Sequence, residues 1–562
     1  MQMNAQDDSL DNLLDKAWHF INLQKVEQAV AACKQLNQHY PNSADGWFAS
    51  SFLAFQLRNA QQSLVMIDKA VELEPKNTRW QLHKAHTLLI LGHKAPALTI
   101  ATALTGKNYT DVDFCAELAL VLNKLSSFAQ AARYYQQAIE LLRSNPAPSN
   151  AQTLGQLYFN LGSIQRYLGD IEAAGHSLDK AIELNPTDDE AYLLRSSLVR
   201  QTEQSNHITA LENRLKQPIK NPLAKAQLYY ALAKENEDLQ QYTHSFAALS
   251  AGAAARRQNM RYEVNSDLST IDKIIDVYDQ SAFNEATVGH SSAAAKSSAA
   301  PIFILGLPRT GSTLVERIVS QHSEVLSAGE LNHFAIAMMA QVKTIAIQAK
   351  SQGQDKKQGQ DKEQGPDSKQ ALVTQTRQLD FAQLGQDYLE KAQSEIAPSA
   401  HFIDKLPLNS LYAGLIHLAL PQAKIIYVKR HPLAACYAIY KQLFTNGYPF
   451  SYDLKELASY YIAHRKLMNH WRKVMPGVIY DVAYEDIVAN VDIQAKGLIS
   501  YCGLDWQAQC SAFEQNTAPS TTASATQVRQ GIYKGSINQW RNYESQLATV
   551  KTMLEQAGID CS

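Results

Sequence analysis

The chain has 562 residues, of which 45% are hydrophobic, and because a single core stops growing near about 250–300 residues, two large domains are predicted. Its 52 basic and 54 acidic side chains give a formal net charge of −2, so no global basic field points to a nucleic-acid partner and any anion site must be built locally. The first residues are polar where a secretory signal would be basic and then apolar, and no apolar run reaches the roughly 18 residues of a membrane span. The sequence therefore predicts a soluble protein without a membrane span.

The cysteines are scattered along the chain, with no CxxC pair and no histidine at metal-ligand spacing. They are Cys33, Cys115, Cys436, Cys502, Cys510 and Cys561. This pattern predicts reduced thiols in a cytoplasmic protein and no metal site.

The first half of the chain repeats a helical hairpin. Its clearest copy, LYFNLGSIQRYLGDIEAAGHSLDKAIELNP, has small, large and helix-ending residues at the spacing of the roughly 34-residue tetratricopeptide pattern. These residues are Tyr158, Leu161, Gly162, Gly169, Ala174, Leu178, Ala181 and Pro186. Small residues such as Gly162 and Ala174 let two antiparallel helices approach closely, and Pro186 ends the second helix.

Weaker copies keep the same phase on both sides, giving about six or seven helix pairs that end near residue 265. The aromatic residues Trp47, Trp80 and Tyr158 occupy positions predicted to pack between helices. This half resembles the tetratricopeptide family, which implies a right-handed solenoid whose concave face holds a protein or peptide. A solenoid that only supports or dimerises the rest of the chain is the alternative.

Composition places the domain boundaries. We predict a repeat solenoid over residues 1–270, a linker over 271–300 that includes HSSAAAKSSAA, and a second domain over 301–562. A run over 348–371 has almost no apolar residues and cannot offset the entropy cost of ordering, so it predicts a disordered surface loop.

A candidate anion-binding loop opens the second domain. The segment PIFILGLPRTGSTLVERIVSQH combines an apolar strand, a turn and a helical pattern, which places the free N–H groups of the helix start around one point. Gly306 and Gly311 bracket the turn, and Arg309, Ser312 and Thr313 add donors.

The nucleotide-triphosphatase loop has a lysine where Ser312 stands here, and the cation Arg309 lies within the turn instead. Without that lysine the loop is poorly equipped for a β,γ-phosphate with magnesium. A phosphate without a transferable γ-group is the better ligand.

This segment resembles the 5′-phosphosulfate loop of the sulfotransferases and is most similar to the tyrosylprotein sulfotransferase branch. The resemblance implies the sulfate donor PAPS (3′-phosphoadenylyl sulfate) as co-substrate, with no metal. The donor-binding residues implied at this loop are Pro308, Arg309, Thr310, Gly311, Ser312 and Thr313.

Two later segments match the family's catalytic positions. Glu330 in SAGELN stands where the tyrosyl enzymes have their general base, which a phenol of pKa about 10 requires near neutral pH. Lys405 in HFIDKLPLN stands where a cation stabilises the oxygen that leaves between sulfate and phosphate. Arg309 is implied as a second stabilising cation.

The segment YVKRHPLAACYAIYKQ resembles the family's 3′-phosphate site. Its Arg430 is the implied contact, because a planar guanidinium grips phosphate oxygens bidentately. Two family positions differ, since a serine is replaced by Ala438 and an arginine by Gln442. The neighbouring Lys441 is a candidate substitute for that arginine.

The remaining donor contacts are implied near the end of the chain. Tyr484 matches a nucleotide-contacting tyrosine that follows a strand, and Trp540 matches the family tryptophan. Asn538 replaces a catalytic serine, and its amide can still donate to the sulfate. Arg529 and Lys534 are further candidate phosphate contacts.

Strand-loop-helix units recur at Ile302, Ile425 and Ile479, which predicts an α/β domain with a mainly parallel sheet. The overall expectation is an α-helical tetratricopeptide solenoid followed by a P-loop-like sulfotransferase domain. Transfer from PAPS to an acceptor hydroxyl is the predicted reaction, with a protein tyrosine on the solenoid as one acceptor. A carbohydrate, lipid or small-phenol acceptor and a catalytically degenerate scaffold are the alternatives.

Overall fold

The structure is a computed structural model that describes residues 9–144, 150–289, 300–351, 369–396, 401–444, 447–513 and 535–562. Most of the predicted linker motif HSSAAAKSSAA, the central part of the predicted loop over 348–371, and both Arg529 and Lys534 lie outside the described residues. The chain forms two compact units, Met1–Thr187 and Asp188–Ser562.

The described part of the first unit consists of successive antiparallel helix pairs. Their helices are α1 Leu10–Asn22, α2 Val26–His39, α3 Ala44–Gln56, α4 Ala60–Leu73, α5 Thr78–Ile90, α6 Lys94–Ala103, α7 Val112–Lys124, α8 Phe128–Ser144, α9 Ala151–Leu168 and α10 Ile171–Leu184. The second helix of each pair carries at least one alanine that is fully buried. These alanines include Ala29, Ala70, Ala97, Ala131 and Ala174.

The close helix packing that the repeat spacing predicts is present in the pair α9 and α10. A Cβ added at Gly162 would lie 2.9 Å from Cγ of Leu178, so a larger residue there would force the helices apart. Of the aromatic residues predicted to pack between helices, Trp80 is buried, whereas Trp47 and Tyr158 are half-buried against their neighbours.

The second unit begins with six helices, and these extend into the predicted linker. They are α11 Asp189–Leu198, α12 Ile208–Leu215, α13 Pro222–Asp238, α14 Tyr242–Arg257, α15 Val264–Val277 and α16 Gln280–Gly289. Ile271, Ile274, Tyr278 and Phe283 are buried in one core with residues of the following domain, so residues 271–283 pack against that domain where composition predicts a linker.

The hairpin of α13 and α14 belongs to this second unit as well. Tyr230 and Leu249 are buried in the same core cluster as Phe303 and Ile425 of the sheet. Arg257 at the end of α14 makes a bidentate ion pair with Glu456, with both N···O distances at or below 2.8 Å. The compact unit therefore starts at Asp188, whereas composition predicts a solenoid to residue 270 and a second domain from residue 301.

A five-stranded parallel sheet forms the centre of the second unit, as the sequence predicts. Its strands are β1 Ala300–Gly306, β2 Val325–Ser327, β3 His401–Asp404, β4 Lys424–Lys429 and β5 Ile479–Ala483. The spatial order is β2-β3-β1-β4-β5, and all neighbouring pairs are parallel.

Both faces of the sheet are buried, which explains why β1 and β4 read as continuous apolar runs. Phe303 and Leu305 of β1 pack into the core shared with α13 to α16, whereas Ile302 and Ile304 pack into a second core on the other face. The helices that follow are α17 Ser312–Ser320, α18 His333–Ser351, α19 Lys369–Gln375, α20 Phe381–Gln393, α21 Ala413–Ala419, α22 Pro432–Tyr440, α23 Leu454–Val474, α24 Tyr484–Ala489, α25 Val491–Cys502, α26 Gly535–Asn538 and α27 Ala548–Gln556.

The ends of the predicted loop over 348–371 are helical, because α18 continues to Ser351 and α19 begins at Lys369. In the described ranges, no helix combines the length and the apolar character that crossing a bilayer requires.

Candidate active site

The predicted site residues gather at one edge of the sheet. Lys405, Arg430 and Tyr484 each directly follow a strand, namely β3, β4 and β5. Arg309 and Glu330 come three residues after β1 and β2. Because the strands are parallel, their carboxyl ends share this edge, which is where open α/β sheets bind ligands.

The candidate anion-binding loop, called the phosphate loop below, joins β1 to α17 as a tight turn. Arg309 has a φ of 65° and Gly311 a φ of 106°, both in the left-handed region. A Cβ at Gly311 would lie 2.5 Å from Cδ2 of Tyr484, so only glycine allows the tyrosine ring to pack on the turn. The buried hydroxyl of Thr310 donates to Leu307 O at 2.7 Å and thus stabilises the turn itself.

The rest of the loop starts α17. Gly311 O accepts from the N–H groups of Leu314 and Val315, which begins the helix at Ser312. Pro308 and Ser312 are buried and Thr313 is half-buried. The loop and the first turn of α17 therefore form a fixed ring of backbone donors, the arrangement that suits an anion.

Two arginines lie together beside the loop. Arg430 donates from Nη1 to Arg309 O at 3.0 Å, and its guanidinium carbon lies 4.8 Å from the ring centre of Tyr484. Burial and the charge of Arg430 lower the pKa of Arg309 to about 10, and burial also lowers the pKa of Arg430. Both groups stay cationic at neutral pH, and an anion with two or more charges would relieve their repulsion.

Glu330 and Lys405 form an ion pair at the adjacent strands. Nζ of Lys405 donates to Oε1 of Glu330 at 2.5 Å. The lysine side chain is 3% exposed and the glutamate side chain 49% exposed, so the carboxylate faces solvent while the ammonium lies beneath it. Backbone bonds from Ala328 N to Ile403 O at 2.9 Å and from Lys405 N to Gly329 O at 2.8 Å fix the two segments together.

Asp404 is a site residue that sequence reasoning did not single out. Its carboxylate accepts from Leu331 N at 3.3 Å and from the hydroxyl of Tyr388 at 3.0 Å. Burial raises the pKa of Asp404 to about 7. Asp404 therefore holds the residue next to Glu330 in place. Its position immediately before Lys405 was the available sequence signal.

Tyr448 was also missed, because it follows a loop with no recognisable motif. It has a φ of 50°, which is uncommon for a residue with a side chain, and its ring centre lies 4.8 Å from that of Phe444. Burial and the charge of Glu330 raise the pKa of Tyr448. An aromatic pair therefore lies within electrostatic reach of the Glu330 carboxylate.

The C-terminal segment lies over Arg430. Ser536 O accepts from Nη2 of Arg430 at 2.7 Å, and the Ser536 hydroxyl is 2.9 Å from the hydroxyl of Tyr484. Trp540 is buried and stacks on the ring of His431, with centroids 4.7 Å apart. Asn538 is exposed, and its Oδ1 accepts from Arg541 Nε at 3.4 Å.

The suggestion that Lys441 substitutes for the missing arginine needs correction. Its ammonium is bonded to Glu237 Oε2 and to Gln539 Oε1, each at 2.9 Å. Gln442 Nε2 donates to the neighbouring Leu443 O, and Ala438 is buried within α22. The charge of Lys441 is thus neutralised by Glu237 of α13, a residue far away in the sequence, and is not left for a phosphate.

In the part of the chain that the structure describes, no group of three or more His, Cys, Asp or Glu side chains could hold a metal ion. The expectation that the reaction needs no metal stays a prediction. All six cysteines are free and buried.

Comparisons with known proteins find similarity in both halves of the chain. Residues 301–508 match the model of the Sulfotransferase family, and residues 155–188 match the model of the Tetratricopeptide repeat. An uncharacterized protein of Aquifex aeolicus (strain VF5) is 28% identical over 431 residues, which are 75% of this chain and 52% of that protein. The chain thus spans about half the length of this curated relative.

Solved structures are similar at lower identity. MamA 41-end from Desulfovibrio magneticus RS-1 is 18% identical and aligns over 33% of this chain and 99% of its own, with a TM-score of 0.27. The Sulfotransferase Domain from the Curacin Biosynthetic Pathway is 15% identical and aligns over 47% of this chain and 99% of its own, with a TM-score of 0.32.

Proposed function

Because residues 301–508 form a sulfotransferase-family domain, we propose that this chain transfers a sulfuryl group from PAPS to an acceptor hydroxyl. The observation that carries the proposal is the ion pair of Glu330 and Lys405 beside a phosphate loop, at the carboxyl edge of a parallel sheet. This arrangement supplies a solvent-facing carboxylate, a buried cation and an anion site within one edge.

The donor would span the edge from β1 to β4. The loop from Pro308 to Thr313 binds its 5′-phosphate through backbone donors, and Arg430 binds the 3′-phosphate. The neighbouring cations Arg309 and Arg430 support this assignment. Their positive charges repel each other, and a nucleotide with two phosphate groups would bring the negative charge that offsets this repulsion. Tyr484 and Trp540 then border the nucleotide.

The reaction is an in-line displacement at sulfur. The acceptor oxygen forms a bond to sulfur, and the bond from sulfur to the bridging oxygen breaks with its electron pair left on that oxygen. The acceptor proton passes to the carboxylate of Glu330, and adenosine 3′,5′-bisphosphate leaves. Lys405 and Arg309 stabilise the charge that develops on the bridging oxygen, so they lower the barrier more than they favour the ground state.

We propose a phenolic acceptor, with a protein tyrosine presented by the tetratricopeptide repeats as the leading case. The aromatic pair of Tyr448 and Phe444 supports this choice, because it lies within electrostatic reach of Glu330 and would pack against the edge or face of an acceptor ring. A carbohydrate, a lipid and a small phenol are the other acceptors to test.

Radiolabelled PAPS and the full chain test the proposal. The chain is incubated with tyrosine peptides, small phenols, glycans and lipids, and label transfer is compared between wild type, Glu330→Gln and the matched control Glu390→Gln. Glu390 is exposed on α20, where its Oε1 accepts a hydrogen bond from Nε2 of Gln386 at 2.8 Å. We expect transfer to a phenol by wild type and the control, and a loss of at least about 100-fold in Glu330→Gln.

The donor is tested separately by calorimetry with adenosine 3′,5′-bisphosphate. Binding of this nucleotide without transfer to any acceptor would identify a degenerate scaffold instead of an enzyme, and Asn538 in place of a catalytic serine would then be the first position to revert. Transfer to a glycan or lipid but to no phenol would support sulfuryl transfer from PAPS and would refute the proposal of a phenolic acceptor.

A cytoplasmic location is the remaining proposal. Six unpaired, buried thiols support it, because reducing compartments keep thiols free. Fractionation of cells that express the tagged chain would decide it.

A further inference from the structure

A second carboxylate lies next to Lys405. Glu316 is on α17, close behind the phosphate loop, and its Oε2 is 4.0 Å from Nζ of Lys405. Its Oε1 accepts a hydrogen bond from the hydroxyl of Ser327 at 2.6 Å. The ammonium therefore lies within ion-pair distance of two carboxylates, Glu330 at 2.5 Å and Glu316 at 4.0 Å.

The two carboxylates differ in their surroundings. The side chain of Glu330 is 49% exposed, whereas that of Glu316 is 12% exposed. Burial raises the pKa of Glu316, and the charge of Lys405 opposes that rise. Arg317 and Glu330 are the other charged groups whose fields reach Glu316. Only Glu330 is thus open to an arriving acceptor.

The two carboxylates also belong to different parts of the reaction. When Glu330 takes the acceptor proton it becomes neutral, and its attraction for Lys405 disappears at the moment when the lysine must face the leaving oxygen. Glu316 stays sealed from the acceptor and still lies 4.0 Å from the Lys405 ammonium. Glu316 lies on α17, the helix that begins directly after the phosphate loop. A contact from Glu316 to the Lys405 ammonium therefore fixes the ammonium relative to the bound phosphate.

We propose that Glu316 is a positioning residue that holds the Lys405 ammonium at the leaving oxygen while Glu330 accepts the proton. Ser327 orients Glu316 for this task through its hydroxyl. The inference rests on the proposed function, because it assigns Glu316 a role in that same transfer.

A double-mutant cycle separates this role from a merely structural one. Single-turnover transfer from radiolabelled PAPS is measured for the wild-type full chain, Glu316→Gln, Lys405→Met and the double variant. We expect Glu316→Gln to reduce the rate about tenfold, equivalent to about 1.4 kcal/mol. In the Lys405→Met background the same change should have no further effect, because the group that Glu316 positions is already gone.

Two further variants complete the experiment. Ser327→Ala leaves every charge in place and should reduce the rate about threefold, again only when Lys405 is present, which repeats the test if Glu316→Gln does not fold. Glu390→Gln should match wild type. Losses that multiply in the double variant would overturn the role of Glu316 while leaving the proposed function intact. Failure of the wild-type chain to transfer sulfate to any acceptor would instead refute the proposed function, and the inference with it.

Discussion

The hairpin of α13 and α14 looks like a final tetratricopeptide repeat, yet it packs as part of the second compact unit, which contains the parallel sheet. We predict that a fragment of residues 188–562 folds and that a fragment of residues 271–562 does not. The two fragments differ by the helices α11 to α14 and the start of α15. The second fragment would expose the core surface that Tyr230 and Leu249 cover.

The size of the loss follows from these contacts. Uncovering Tyr230 and Leu249 removes about 1.5–3 kcal/mol each. Loss of Glu237 leaves Lys441 with Gln539 as its hydrogen-bond partner, and loss of Arg257 removes the bidentate partner of Glu456, at about 1–3 kcal/mol each. The sum, about 5–12 kcal/mol, is of the order of the whole net stability of a domain, about 5–15 kcal/mol.

Urea unfolding followed by tryptophan fluorescence provides the assay, since Trp471 and Trp540 are both buried in this unit. Residues 188–562 should give a cooperative transition, and residues 271–562 should give none. Within the longer fragment, Leu249→Ala should cost about 2–5 kcal/mol. A cooperative transition of residues 271–562 at the same midpoint would refute the assignment of the hairpin to this unit.

Three further predictions concern the site. Gly311→Ala should weaken binding of adenosine 3′,5′-bisphosphate at least tenfold in calorimetry, because the new Cβ displaces the ring of Tyr484; unchanged affinity would contradict this packing. Arg430→Met should abolish the preference for adenosine 3′,5′-bisphosphate over AMP, which lacks the 3′-phosphate, and a retained preference would place that phosphate elsewhere. The buried Asp404 has its pKa raised to about 7, so the folded state holds a proton that the unfolded state releases. Its stability contribution therefore falls as pH rises from about 4 to 7, by up to about 1.4 kcal/mol per pH unit. Asp404→Asn should remove that slope in urea unfolding at several pH values, and parallel curves for the two proteins would contradict it.

The strand, turn and helix of the phosphate loop could be predicted from sequence because their determinants are local. A strand, two glycines and a helix start lie within one short segment, and the structure has β1 and α17 on either side of the turn. The packing of Tyr484 on Gly311 could not be predicted, because Tyr484 follows β5 and Gly311 follows β1. Which strands lie near each other is set by the strand order of the sheet, and the sequence does not give that order.

The predicted boundary at residue 270 differs from the division into two compact units for a related reason. Repeat spacing identifies a hairpin, but it does not say what covers the outer face of the last one. Tyr230 and Leu249 are ordinary repeat residues by pattern, and only the fold brings them against the sheet domain. Lys441 was misjudged in the same way, because Glu237 lies 204 residues away.

The buried carboxylates were missed because burial of an acid has no sequence signal. Glu316 reads as a surface residue of an amphipathic helix, and Asp404 reads as a neighbour of Lys405. Their surroundings become visible only in the fold, where β2 and β3 bring Ser327 and Lys405 close to Glu316 in the middle of α17.

A crystal structure of the chain with adenosine 3′,5′-bisphosphate tests the central claim most directly. We predict the 5′-phosphate on the N–H groups between Pro308 and Thr313, and the 3′-phosphate against Arg430. A nucleotide bound away from this loop, or tight binding of ATP with magnesium in the loop and none of the bisphosphate, would contradict the account.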